Sequence, residues 1–177
     1  MDMTYAPGLV PETIGIGGVF RLECYDPKQD KVLWVAPLKN GVTTAGLNHI
    51  LNVEFGGTTQ VATWYFGLVS SSGFSAFSAA DTMGSHTGWS EQTGYDEAAR
   101  QTWSVGAASG GIITNGTVAT FTATSSMGVQ GAFVTSSSTK GGTTGTLWAT
   151  SALANAPQTI PAGLTVRLTY TLTATAT

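Results

Sequence analysis

The chain has 177 residues, only 10% of them charged, and a formal net charge of −3 at pH 7. We expect no nucleic-acid partner because there is no basic patch, and no membrane span because no apolar run approaches about 18 residues. Thr (29), Ser (15) and Gly (23) are abundant, which favours strands and turns over a helical bundle or a doubly wound α/β enzyme.

Residues 1–17 are predicted to form an extended N-terminal arm, ahead of a single domain that spans residues 18–177. Pro7 and Pro11 interrupt the arm, and its apolar residues follow neither a strand period nor a helix period. An extended segment gains little by folding alone but can be buried in a groove on a neighbouring subunit. The candidate partner-binding residues of the arm are its apolar side chains: Tyr5, Leu9, Val10 and Ile14.

The start of the domain has the pattern of a β-hairpin. Phe20, Leu22 and Cys24 alternate with polar residues over 19–25, as in a strand with one buried face. Turn residues at 26–30 and a second apolar segment at 31–36 complete the hairpin. Cys24 is the only cysteine, so it cannot form an internal disulfide, and we interpret it as an inert core thiol. This cysteine content fits a protein that is made in a reducing cytoplasm.

One helix is predicted after residue 42. Thr43 or Thr44 is a suitable N-cap, and Gly56 and Gly57 end the helix. Four apolar residues recur at steps of three and four and are expected to face the core: Leu47, Ile50, Leu51 and Phe55.

The rest of the chain reads as strands and loops. Residues 61–69 form a continuous apolar run, typical of a central strand, and a Ser/Gly/Ala-rich loop follows at 70–88. Further strands are predicted at 89–95, 99–105, 117–124, 129–135, 146–152 and 164–175. Eight or nine strands with one helix predict an all-β fold, an antiparallel, jelly-roll-like β-sandwich.

The C-terminal part of the chain is unusually neutral. Residues 101–177 contain no Asp or Glu, and their only charged residues are Lys140 and Arg167. Such a surface gains little solubility from charge repulsion. We therefore expect another subunit to cover part of it.

The histidines give a weak indication of chemistry. His49 falls in the predicted helix, where a structural role is favoured. His86 follows Asp81 in the 70–88 loop, and the two could hint at a metal site, but two ligands without a third are a weak signal. A hydrogen bond that holds the loop is the favoured interpretation.

Acidic residues near aromatic side chains raise the possibility of glycoside hydrolysis. Glu91, Asp96 and Glu97 lie close in sequence to three aromatic residues, but a glycosidase needs two carboxylates at a fixed separation. Ion pairs at the surface or an interface, involving Arg100, are favoured instead. We predict no catalytic, metal or cofactor-binding residue and no enzymatic activity.

Two loops are the second place where a partner could bind. Residues 139–146 are glycine-rich, but Lys140 precedes the glycines and a strand follows, so the segment is interpreted as a tight loop and not as a phosphate loop. Together with the 70–88 loop and its surroundings, this segment supplies the remaining candidate partner-binding residues: His86, Trp89, Arg100 and Lys140.

Several segments together resemble a known family, the small virion structural proteins of tailed bacteriophages that include head decoration and capsid cement proteins. The resemblance spans roughly residues 18–175. It rests on residues 40–42, 46–51, 63–68, 81–83, 85–86 and 88–89, on Glu91, Tyr95 and Arg100, and on 131–133 and 138–147.

The resemblance implies a virion protein made in the host bacterial cytoplasm, with no cofactor and no known catalytic residues. It would decorate the outer surface of the phage head, bind the major capsid protein and form a homo-oligomer, either a dimer or a trimer. The alternative is a tail or fibre component whose sandwich binds host glycans. A glycan hydrolase is a third possibility, disfavoured by the few acid–base groups.

Overall fold

The computed structural model describes residues 13–154 and 157–176. In these ranges, twelve strands form two antiparallel sheets that pack together, with one short helix. This confirms the predicted all-β sandwich. In chain order the elements are β1 (Ile14–Asp26), β2 (Lys31–Lys39), β3 (Gly41–Val42), α1 (Thr44–Glu54), β4 (Trp64–Ser70), β5 (Glu91–Gln92), β6 (Gln101–Trp103), β7 (Ile112–Thr114), β8 (Ala119–Thr122), β9 (Met127–Thr135), β10 (Leu147–Ala152), β11 (Gln158–Ile160) and β12 (Thr165–Ala176).

The first sheet is built on the long pair β1 and β12, which run antiparallel from the pair Ile14–Ala176 to the pair Tyr25–Thr165. β2 lies on the other side of β1, as the predicted hairpin requires, and β7 and β8 both pair with β12. The second sheet has the order β3–β10–β9–β4–β5, with β11 added to β9 and β6 added to β4.

The core lies between the two sheets. Phe20, Leu22 and Cys24 are all buried, so the predicted inner face of the first strand is confirmed. Phe20 stacks on Tyr170 of β12 with ring centroids 4.3 Å apart. β9 is buried along most of its length because it carries the main core on one face and a second, smaller apolar cluster on the other.

Helix α1 begins where predicted, at an N-cap. The Thr43 side chain accepts a hydrogen bond from the Gly46 amide at 3.0 Å, which satisfies one of the free N–H groups of the first turn. Gly46 is the buried residue of the helix, and it faces the Trp148 backbone.

Among the described residues, no helix is long and apolar enough to cross a membrane.

The predicted burial of the helix stripe is wrong. Leu47, Leu51 and Phe55 are 42%, 56% and 86% exposed, and only Ile50 of the four packs, partly buried, against the core. The reason is that α1 contacts the sheet through Gly46, and a search for apolar residues at helical spacing does not detect a glycine contact. Most of the apolar stripe is therefore exposed.

The predicted boundary between arm and domain is also corrected. β1 begins at Ile14, and residues 14–17 pair with residues 173–176 of β12. Gly15 and Gly17 have no side chains, so the alternation typical of a strand is hard to see in the sequence here. The strand forms because the long strand β12 pairs with it. Tyr5, Leu9 and Val10 lie outside the described residues.

Three short strands were not predicted: β3, β7 and β11 have two or three residues each. β5 and β6 are shorter than the predicted segments 89–95 and 99–105. Segments this short are set by the backbone of a distant partner strand, because they hold too few side chains to form a pattern.

Candidate functional site

Two long loops meet at one side of the second sheet. One, residues 71–90, joins β4 to β5, and the other, residues 136–146, joins β9 to β10. We call these two loops together the loop platform. The platform brings together four of the residues predicted from the sequence, namely His86, Trp89, Arg100 and Lys140.

The first loop is anchored by Trp89, which is 4% exposed. Its indole N–H donates to Asp81 Oδ2 at 2.9 Å, and the Ser78 amide donates to the same oxygen at 2.9 Å. The His86 ring stacks on the indole at 4.0 Å, with Nδ1 3.0 Å from the Trp89 carbonyl oxygen. Asp81 and His86 thus both stabilise the loop through hydrogen bonds, which agrees with the structural role favoured from the sequence.

An apolar cluster packs around Trp89 and stabilises its position. Trp89 packs with Val69, Met83, Phe133 and Leu147, and two further aromatic residues of the loop, Phe74 and Phe77, pack against them. The loop is therefore fixed by a small core of its own, on the face of β9 that points away from the main core.

The second loop is tied to the sheet by a buried ion pair. Arg100 Nε and Nη2 donate to the two carboxylate oxygens of Glu91 at 3.0 and 2.7 Å, and their side chains are 0% and 7% exposed. The guanidinium also donates to the carbonyls of Ser137 (3.0 Å) and Gly142 (2.7 Å) and lies over the Phe133 ring. The ion pair expected at a surface or interface is therefore inside the protein.

Lys140 is held by backbone carbonyls. Its ammonium donates to the Tyr95 carbonyl at 2.9 Å and to the Glu97 carbonyl at 2.7 Å, and it lies 4.4 Å from the centre of the Tyr95 ring. Gly141 has a φ of +73°, and its amide donates to Glu91 at 2.8 Å. The segment is a loop between strands, as predicted, and within this longer loop residues 139–142 form a tight turn closed by the Gly142 amide and the Thr139 carbonyl, where the positive φ favours glycine at 141.

The acidic residues of this region have structural partners. Both carboxylate oxygens of Glu97 accept from the Thr122 amide, at 3.1 and 3.0 Å, and Oε1 also accepts from the Thr122 hydroxyl. Glu91 is bonded to Arg100 and to the Gly141 amide. These contacts use both side chains to join segments that are distant in sequence.

Burial changes the titration of one residue under the platform. Tyr95 is 2% exposed, and its removal from water, followed by the negative charge of nearby Glu91, raises the pKa of its hydroxyl well above the ordinary value. A deprotonated tyrosine in this position would be costly. Tyr95 is therefore a neutral packing residue at physiological pH.

A small cleft separates the two loops. Its volume is about 250 Å³, and His86, Trp89, Glu91 and residues 141–143 contribute to its lining. The exposed residues of the platform are small and neutral, and the sequence does not mark them, because single Ser and Thr residues in loops are common. They include Thr82, Ser85, Thr87, Ser90, Thr143 and Thr144.

The candidate partner-binding residues divide into three groups. Trp89 and Arg100 are buried, so, contrary to expectation, they act mainly as supports of the platform: the Arg100 side chain is 0% exposed, and Trp89 contributes only to the lining of the cleft. His86 and Lys140 are half-buried within it. Ile14 lies apart from the platform, as the exposed first residue of β1.

The described residues contain no group of three or more His, Cys, Asp or Glu side chains that could hold a metal ion. What the arrangement offers chemically is a surface of exposed hydroxyl and backbone groups around a small cleft, with the charged groups of Glu91, Arg100 and Lys140 engaged in internal hydrogen bonds. In comparisons with protein-family models and with curated proteins, the chain matches none.

Proposed function

We propose that the protein is a structural component of a tailed-phage virion that decorates the outer surface of the head and cements it by binding the major capsid protein. The sequence resemblance over residues 18–175 supports this proposal. The observation that carries it is the construction of the loop platform, in which the charged groups hold loops in place and the exposed groups are neutral.

A rigid platform suits permanent adhesion. Loops that are already ordered lose little conformational entropy when a partner binds, so more of the contact energy appears as affinity. Neutral hydroxyl and backbone groups bind through direct and water-mediated hydrogen bonds, which salt screens little. The platform is therefore suited to a shell that must hold over a range of ionic conditions.

Co-sedimentation with phage heads that lack the protein tests the proposal. We expect saturable binding that changes little with salt concentration. Thr87→Arg together with Thr143→Arg should weaken binding at least about tenfold by placing two long charged side chains on the platform. Thr120→Arg, at an exposed position of β8, is the matched control and should bind normally. Unchanged binding of the platform variant would contradict this role for the platform.

The segment before β1 is a second candidate anchor. We propose that Tyr5, Leu9 and Val10 dock on a neighbouring subunit. Because β1 begins at Ile14, residues 1–12 can be removed without shortening the strand. We expect the shortened chain to fold and to be released from heads more readily than the full chain. Equal retention of the two chains on heads would show that residues 1–12 are not an anchor.

A tail or fibre component that binds host glycans is the second candidate function. The cleft of the loop platform favours it, because its volume of about 250 Å³ suits one sugar unit and its hydroxyl and backbone groups can pair with sugar hydroxyls. Binding of the purified chain to a panel of bacterial surface glycans, with loss of binding in Thr143→Arg, would support this function over head decoration.

A further inference from the structure

The chain contains two steps at which asparagine is followed by glycine, Asn40–Gly41 and Asn115–Gly116. Asparagine is a thermolabile residue, and a following glycine favours its deamidation because no Cβ hinders the approach of the glycine nitrogen. That nitrogen attacks the side-chain carbonyl carbon, and the side-chain nitrogen leaves as ammonia with the proton of the glycine amide. Water then opens the resulting cyclic imide to aspartate or isoaspartate.

The Asn115 side chain fills a gap in the first sheet. β7 pairs with residues 171–173 of β12, and β8 pairs with residues 165–168, so neither strand pairs with Tyr170. The Asn115 amide replaces the missing backbone partner. Its Oδ1 accepts from the Tyr170 amide at 2.8 Å, and its Nδ2 donates to the Leu168 carbonyl at 3.1 Å.

Hydrogen bonds hold both steps away from the reactive arrangement. The Gly116 amide donates to the Ser104 carbonyl at 2.7 Å, so the nitrogen that would attack is engaged elsewhere. At the other step, Asn40 Oδ1 accepts from the Gly18 amide at 2.6 Å, and Nδ2 donates to the Tyr170 hydroxyl at 2.7 Å. Deamidation at either step therefore requires these hydrogen bonds to open first.

Little structure must open to free Asn115. It belongs to the segment 104–118, in which only Ile113 and Asn115 itself are partly buried and all other residues are exposed. Within this segment β7 forms three residue pairs with β12. Segments with few buried contacts open locally, at a much smaller free energy than global unfolding.

More structure must open to free Asn40. This residue lies where the chain passes from the first sheet to the second, between β2 and β3. Its backbone amide donates to the Gly18 carbonyl at 3.1 Å, and its side chain is bonded to the hydroxyl of Tyr170, which is 0% exposed. Release of Asn40 therefore disturbs both sheets and a contact with the core.

We propose that Asn115 is the site of spontaneous deamidation in the folded protein, reached by local opening of residues 104–118, and that Asn40 is protected until the domain unfolds. A carboxylate at position 115 has no donor for the Leu168 and Thr117 carbonyls, which the amide now serves, and repels both. The reaction therefore loosens the edge of the first sheet. It is a property of the chain itself and does not depend on binding to a phage head.

Peptide mapping by mass spectrometry tests this order during incubation at mildly alkaline pH, where the glycine amide loses its proton more readily. In urea that unfolds the chain, we expect the two asparagines to react at similar rates. In buffer, Asn115 should react at least about tenfold faster than Asn40, yet more slowly than in urea.

Gly116→Ala is the matched control. Its Cβ would lie 3.8 Å from the Ser104 carbonyl oxygen, an ordinary contact, so the fold should be unchanged. The added methyl group hinders attack by the nitrogen of residue 116. We expect slower reaction at Asn115 in buffer and in urea, with the reaction at Asn40 unchanged.

Aspartate variants measure the effect of the product on the fold. Asn115→Asp should lower the midpoint of thermal unfolding by roughly 2–8 °C and speed hydrogen exchange of the β7 amides. Asn40→Asp should have a smaller effect, because the Tyr170 hydroxyl can donate to the new oxygen.

Three results would overturn the proposal. One is equal reaction at the two asparagines in buffer, including no reaction at either. The second is reaction at Asn115 as fast in buffer as in urea, which would show that its hydrogen bonds give no protection. The third is an Asn115→Asp variant as stable as the wild-type chain.

Discussion

Arg100 makes four hydrogen bonds from a guanidinium that solvent does not reach: two to Glu91 and one each to the carbonyls of Ser137 and Gly142. Glu91 belongs to β5, and Ser137 and Gly142 belong to the 136–146 loop, so the guanidinium joins these two segments. A buried ion pair contributes little net stability compared with apolar residues of the same shape, but removing one member leaves the other charged and unpaired.

We predict that Arg100→Ala lowers the free energy of unfolding by about 3–5 kcal/mol, measured by urea denaturation. Arg100→Met combined with Glu91→Leu should recover part of this loss, because neither charge is then left without its partner. Arg21→Ala, which breaks the more exposed pair with Glu23, should cost less than about 1 kcal/mol. Equal losses for the two arginines would contradict the role given to Arg100.

Gly46 provides a test of how α1 docks. A Cβ at this position would lie 2.6 Å from the Trp148 carbonyl oxygen. Because this distance is a steric clash with a backbone atom, either the helix or β10 would have to shift. We predict that Gly46→Ala costs about 1–3 kcal/mol, in spite of the higher helix propensity of alanine. Gly41→Ala, where a Cβ meets nothing within 4 Å, should be nearly neutral by thermal unfolding.

Two buried tyrosines predict a loss of stability in alkali. Burial raises the pKa of Tyr170 to about 12 from an ordinary value of 10.0, and it raises the pKa of Tyr95 as well. The unfolded chain therefore releases these protons at lower pH than the folded chain, so stability is complete below about pH 10 and falls as the pH rises towards 12. Tyr170→Phe should reduce the slope of the urea midpoint against pH in this interval. An unchanged slope would contradict this assignment.

At the scale of elements, the sequence predicts best where a strand or helix shows its own period. The sequence predicts β1, β9, β10 and β12 because each buries alternate or continuous apolar residues, and it predicts β2 from its apolar composition and the preceding turn, although most of β2 is exposed. β3, β7 and β11 were not found, because distant backbones define them. The N-cap of α1 was predicted correctly, but its buried face was not, since the contact runs through Gly46.

The exposed stripe of α1 leads to a prediction opposite to that from the sequence. Burial of Leu51 would imply a loss of about 2–5 kcal/mol in Leu51→Ala. Because Leu51 is 56% exposed, we predict a loss below about 1 kcal/mol in the monomer. Leu68→Ala, in the buried strand β4, should show the larger loss in the same urea experiment.

The candidate site was predicted in part. The sequence singled out His86, Trp89, Arg100 and Lys140, and the fold brings all four to one platform. What it could not supply is the direction each side chain takes: Arg100 turns inward to Glu91, and Lys140 turns to the carbonyls of Tyr95 and Glu97. Long-range pairing decides these directions, and no local pattern records it.

At the scale of the whole molecule, two parts of the chain have distinct proposed roles. In the proposal, the loop platform binds the capsid protein and the segment before β1 adds retention on the shell. The neutral stretch 101–177, expected from its composition to be covered by another subunit, contributes Trp103, Trp148 and Leu172 to an apolar pocket beside α1.

The number of copies per particle tests the central claim most directly. Under the proposal a phage encodes this chain, and quantitative mass spectrometry of purified particles of that phage would measure the ratio of the protein to the major capsid protein. A head decoration protein must occupy many equivalent sites on the shell, so we predict hundreds of copies. A handful of copies, at the level of tail components, would contradict head decoration and favour the tail or fibre alternative.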